Sequence, residues 1–148
     1  MTYRRRGITT GTLPFALLTA LIASPAAGQD APPTIEAHEK AMKEIDYVLD
    51  EAEFHIDARY WADLGSDTDA LRANFNRVKA FWEARDASDA VGFVEQALTA
   101  NSALSRASMA SDKAQATEAV GELRAACKAC HSEYREETDD GFRIKSGG

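Results

Sequence analysis

At 148 residues the chain has room for one ordinary domain but not two, so any chemistry it performs must fit within a single core. Hydrophobic residues make up 45% and charged residues 28%, with only 4 Pro and 9 Gly; this excludes wholesale disorder and favours helices over a sandwich or barrel. The formal net charge of −7 speaks against nucleic acid as a partner, because phosphate binding is built on clustered Lys and Arg.

Residues 1–28 read as a secretory signal peptide. Arg4, Arg5 and Arg6 form its basic start, Leu13 to Ala23 its apolar run, and Ser24-Pro25-Ala26-Ala27-Gly28 a small-residue cleavage region. The apolar run is about half the roughly 20 residues a bilayer span needs, so no membrane span is expected once the leader is removed. Removal takes three arginines and leaves a still more acidic chain. Residues 29–33 form a lead, 34–138 the folded domain and 139–148 a C-terminal tail.

Four helices are predicted in the domain. Thr34 caps the first, whose apolar positions Met42, Ile45, Leu49, Ala52 and Ile56 recur at helical spacing towards an end near Leu64-Gly65. Ser66 and Asp69 resemble a capping box for a second helix, with Leu71, Phe75, Val78 and Trp82 on one face. Asp86 and Asp89 open a third, carrying Val91, Val94, Leu98 and Leu104 to about Ser108. Asp112 with Gln115 opens the fourth, where Ala116, Ala119, Leu123, Ala126 and Cys130 keep the period to Tyr134. There is no strand pattern. Short connections between amphipathic helices predict an all-α, antiparallel up-down-up-down four-helix bundle.

The chemical signal is Cys127-Lys128-Ala129-Cys130-His131, which holds the chain's only two cysteines. Two thiols one helical turn apart can each add to a vinyl group of haem, and the adjacent histidine can then reach the iron. This is the c-type haem attachment pattern, and it predicts one covalently bound haem c on Cys127 and Cys130 with His131 as proximal ligand. The alternatives fit less well. A disulfide across three positions closes almost no loop and leaves His131 without a role. A thioredoxin-like pair belongs at a helix start in a βαβ setting, and zinc needs about four ligands, which His38 and His55 do not complete at any recognisable spacing.

A haem motif on the last of four helices resembles the class II c-type cytochromes, the cytochrome c' family. The resemblance covers roughly Thr34 to Arg135. It is most specific from Cys127 to Arg135, where the motif continues to an aromatic residue, Tyr134, and an arginine. It implies that Met42 faces the distal side of the haem, since methionine there marks the family's low-spin, six-coordinate members, and that Arg135 neighbours the haem on the proximal side. Two departures stand out. The family usually has an arginine four residues before the methionine, where this chain has His38, expected to be solvated or a neighbour of a haem propionate. The stretch from Arg85 to Ser88 also leaves little room for a crossover.

The expected function is electron transfer in the periplasm, with no enzymatic role. The expected redox partner carries a basic docking patch, because the chain itself is acidic. The alternative is a high-spin protein that binds nitric oxide or carbon monoxide at an open distal site, with Met42 only packing. His55, one step off the apolar stripe, reads as surface. Trp61, Phe81 and Trp82 are candidates for lining a homodimer contact, although aromatic residues in such a bundle are more often core. Glu136, Glu137, Asp139 and Asp140 read as a solvated terminal face.

Overall fold

A computed structural model describes residues 33–139 and 141–145. The leader 1–28 and all but Pro33 of the lead therefore lie outside the described residues. Four helices, α1 (Ile35–Ala58), α2 (Trp61–Glu83), α3 (Ser88–Ala110) and α4 (Lys113–Tyr134), form an antiparallel four-helix bundle, followed by two short strands, β1 (Arg135–Thr138) and β2 (Gly141–Ile144). Consecutive helices pack side by side, and of the four neighbouring faces the one between α1 and α4 is the least extensive. Among the described residues no helix is long and apolar enough to cross a membrane.

Two helix starts follow directly from side-chain chemistry. Thr34 Oγ1 accepts the Ala37 N–H at 3.1 Å, and Asp112 Oδ1 accepts the Gln115 N–H at 3.0 Å, each satisfying an otherwise unpaired amide of a first turn. Gln115 Nε2 returns a 2.7 Å bond to Asp112 Oδ2. The predicted stripes also face inward: Ile45, Leu49, Ala52 and Ile56 of α1, all four of the α2 positions, and all five of α4 are buried. The largest side chains at the centre are Trp82, Phe81, Leu64, Leu71, Leu104 and Leu123. Each of these contributes roughly 1.5–3 kcal/mol by leaving water.

The boundary between α1 and α2 differs from the prediction. The first helix stops at Ala58, because Arg59 adopts a left-handed conformation (φ 59°) and Tyr60 N–H bonds back to His55 O at 2.9 Å. Gly65 and Ser66 lie inside α2, and the Ser66 hydroxyl donates to Ala62 O instead of capping. The third helix likewise starts at Ser88 behind an uncapped Ala87, with Asp86 (φ 55°) in the turn. At the C-terminus, where no strand is predicted, β1 and β2 pair antiparallel, Arg135 opposite Ile144 and Thr138 opposite Gly141. Ile144 and Tyr134 pack against the core, and Glu136 is not simply solvated but accepts from Arg143 Nε at 2.6 Å.

Candidate functional site

The α1/α4 seam has two unlike ends. At one end, Lys113 Nζ reaches Asp57 at 2.9 Å, and Arg124 of α4 donates to both Asp50 (2.8 Å) and Glu53 of α1. These pairs fix the antiparallel register. Asp50, Glu53 and Asp57 form the row of α1 that faces α4. Asp46 continues that row and lies within electrostatic reach of both Cys127 and His131. Met42 stands one further turn along the same row, half-buried and packed against the core.

Cys127 and Cys130 are both free, the first half-buried against the core and the second buried. Burial pushes both thiols up to about 11, so neither is a ready thiolate for disulfide exchange. His131 is held below the ordinary histidine range, first by burial and then by Arg135, while Asp46 opposes the shift. A neutral imidazole with a free lone pair is what an iron ligand requires. Among the described residues no three His, Cys, Asp or Glu side chains cluster to hold a bare ion.

His38 departs most from expectation. It is buried, not solvated, because the first turn of α1 is covered by the C-terminal end of α2. Its ring lies 4.2 Å from Phe81 and edge-on to Trp82 at 5.6 Å. Trp82 in turn contacts Tyr134 at 4.8 Å, one turn beyond His131. Among the described residues His38 Nε2 and Trp82 Nε1, both buried, have no hydrogen-bond partner. His38 is pushed down to about 4, by burial first, then by the charges of Arg85 and His131. Phe81 and Trp82 are thus core and cannot line a subunit contact, while Trp61 is half-buried.

His55 is not a surface residue either. Its Nδ1 pairs with Asp67 Oδ2 at 2.6 Å, with both side chains mostly covered, and so ties α1 to α2 away from the motif. Arg135 stacks over the exposed Phe142 ring at 4.0 Å within the hairpin. Sequence reasoning missed Arg85 and Phe81 as neighbours of His38. The spacing of Phe81 and Trp82 was visible, but nothing in a turn arginine announces its target.

A four-helix bundle with two free thiols and a neutral histidine on the inner side of its last helix defines the bundle class of c-type haem proteins. The chain belongs to the cytochrome c' family, whose model matches residues 34–135. No curated protein and no solved structure matches it. Membership makes this a haem-binding protein of the electron-carrier type and implies covalently bound haem c. The residues present fit such a group: two uncommitted thiols, a neutral imidazole, and two buried nitrogens without a partner.

Proposed function

We propose that the chain is a monohaem electron carrier of the periplasm, with Cys127 and Cys130 holding the haem and His131 and Met42 as its axial ligands. The seam register carries this proposal: Met42 continues the row of α1 residues that faces α4 at the level of the motif. When bound, haem supplies an iron that cycles between ferric and ferrous states. The chain's own residues hold, orient and dry that centre. Two thioether anchors prevent loss of the group, the neutral His131 offers one lone pair, and the soft Met42 sulfur favours the reduced metal. The buried rows of all four helices exclude water, and His131 with Met42 would hold the iron in both oxidation states, which would keep reorganisation on electron transfer small.

No catalysis is assigned, since peroxide or nitrogen-oxide chemistry needs an acid–base pair beside the iron. The partner is a redox protein with a basic patch, met through the chain's acidic surface. If the protein dimerises, the exposed Tyr47, Phe54, Tyr60 and Phe142 are, among the described residues, aromatic side chains available to a contact. One observation also suits the gas-binding alternative: a methionine that merely packs against the core would look like Met42.

Absorption spectra of both oxidation states, with and without carbon monoxide, separate the two. The wild type should be low-spin in both states. Met42→Leu preserves most of the packing volume, so it should cost less than about 1.5 kcal/mol of stability while the protein turns high-spin and binds carbon monoxide readily. A wild type that is already five-coordinate replaces electron transfer with gas binding.

A further inference from the structure

Tyr47, Phe54 and Tyr60 are each more than half exposed, although the same bundle buries Phe75, Phe81 and Trp82. Tyr47 and Phe54 lie seven residues apart, two turns of α1, so they share one face, opposite the buried Ile45 and Ala52. Tyr60 extends that face past the helix end, its ring edge-on to Phe54 at 6.1 Å and 6.2 Å from His55. Aromatic rings left in water and rimmed by polar groups mark contact surfaces, because they release water from apolar area at little entropic cost. The rim here is acidic. Residues 44–63 hold seven Asp and Glu against one Arg and no Lys. Asp50, Glu53 and Asp57 are committed to Arg124 and Lys113 across the α4 seam, and His55 to Asp67. Glu44 and Glu51 flank the two α1 rings at one-turn spacing, and Asp63 follows Tyr60 in the first turn of α2. Among the described residues these three carboxylates form no ion pair. Glu51 and Asp63 both act electrostatically on Asp67, which gathers them around one patch.

We propose that the outward face of α1 carrying Tyr47 and Phe54, with Tyr60 behind it, is where a redox partner docks, and that the partner presents Lys and Arg side chains to it. This rests on the electron-carrier reading above. Ring faces and carboxylates attract the same group: a guanidinium or ammonium meets the rings through their π electrons and Glu51 through its charge. A second copy of the chain is the poorer occupant. A two-fold contact sets the face against itself and brings Glu44, Glu51 and Asp63 towards their own counterparts, like charges in a drying interface. The location also suits electron transfer. Tyr47 follows Asp46, which stands at the level of Cys127 and His131, so one helix about 10 Å across separates the near end of the face from the motif.

The test follows electron exchange between the haem-loaded protein and a small basic c-type cytochrome. Each rate is read against reduction of the same sample by dithionite, which needs no docked surface. Glu51→Lys and Glu122→Lys change the net charge equally, but Glu122 is exposed on the side of α4 away from Arg124 and α1. Glu51→Lys should slow the exchange on the order of tenfold at low salt, and Glu122→Lys by no more than about twofold. Phe54→Ala should slow it at least about fivefold with the net charge unchanged, as the loss of a central aromatic contact does. Equal slowing by the two lysine variants overturns the docking face and leaves only overall charge. A Phe54→Ala variant that turns a dimer into a monomer yet exchanges at the wild-type rate also overturns it, and assigns the rings to a contact between copies. A wild type that dithionite reduces but that exchanges no electrons with the basic cytochrome overturns it too. A wild type that never acquires haem overturns the reading beneath the proposal instead.

Discussion

The two ends of the α1/α4 seam are built differently, one closed by surface ion pairs and the other carrying the haem motif. At the far end, Lys113, Arg124, Asp50, Glu53 and Asp57 close the seam with paired surface charges, and His55–Asp67 ties α1 to α2. At the motif end, among the described residues, no ion pair crosses from α1 to α4. Found there instead are a buried and a half-buried thiol, the half-buried His131, and, among the described residues, the buried His38 and Trp82, whose Nε2 and Nε1 lack a partner at a cost in stability. The ion pairs at the far end mark the register, in which the same row of α1 continues to the level of Cys127–His131.

Acid should break this contrast from the motif side, and its effect on stability should be the largest. His38 titrates at about 4 in the folded chain against 6.5 when unfolded. Between these values the unfolded chain binds more protons, so the contribution to stability is complete above pH 6.5 and is lost as pH falls through 4. The loss approaches roughly 3 kcal/mol, read by chemical denaturation across that window in a chain expressed without haem. His38→Gln should flatten this component. An unchanged acid slope in that variant would mean that His38 is not held neutral.

The far end should respond more weakly. Arg124→Met removes both bonds to Asp50 and Glu53, and because these charges are largely exposed the expected cost is no more than about 1 kcal/mol, shrinking as salt is added. Denaturant midpoints at low and high ionic strength measure it. A loss independent of salt would assign Arg124 a packing role through its aliphatic stem instead. Smallest of all, Gly65→Ala should stabilise the protein by about 0.5–1 kcal/mol, since the position is mid-helix and an added Cβ meets only Ser108 Oγ at ordinary contact distance, 3.8 Å. Thermal unfolding of the single variant checks the sign.

How much of this could be read from the sequence depended on whether a signal resided in side chains or in backbone. Thr34 and Asp112 act through their own oxygens, so those helix starts were legible, as were the buried rows that obey the helical period. The boundary between α1 and α2 was not, because Arg59 takes a positive φ without being glycine, while the actual glycine, Gly65, lies in a helix and points to the wrong place. The hairpin is short and its strands do not alternate cleanly, although Asp140-Gly141 is a turn signal that could have exposed it. For the candidate site, spacing alone was enough to set Cys127, Cys130 and His131 together on the last helix. The solvated reading of His38 failed because a residue near a helix start is covered only if another helix end lies over it, as Phe81 and Trp82 do in this bundle. The partner of Arg85 is likewise a matter of tertiary arrangement.

The central claim is that Cys127 and Cys130 carry haem covalently, and the intact mass of protein exported by a bacterial host that attaches haem tests it most directly. The expected mass is that of the chain shortened by about 26 to 28 residues plus one haem, with the colour surviving acid–acetone extraction. Replacing both Cys127 and Cys130 by Ser should abolish that retention. A wild-type chain that runs at its bare polypeptide mass and loses all colour to acid–acetone would contradict the account.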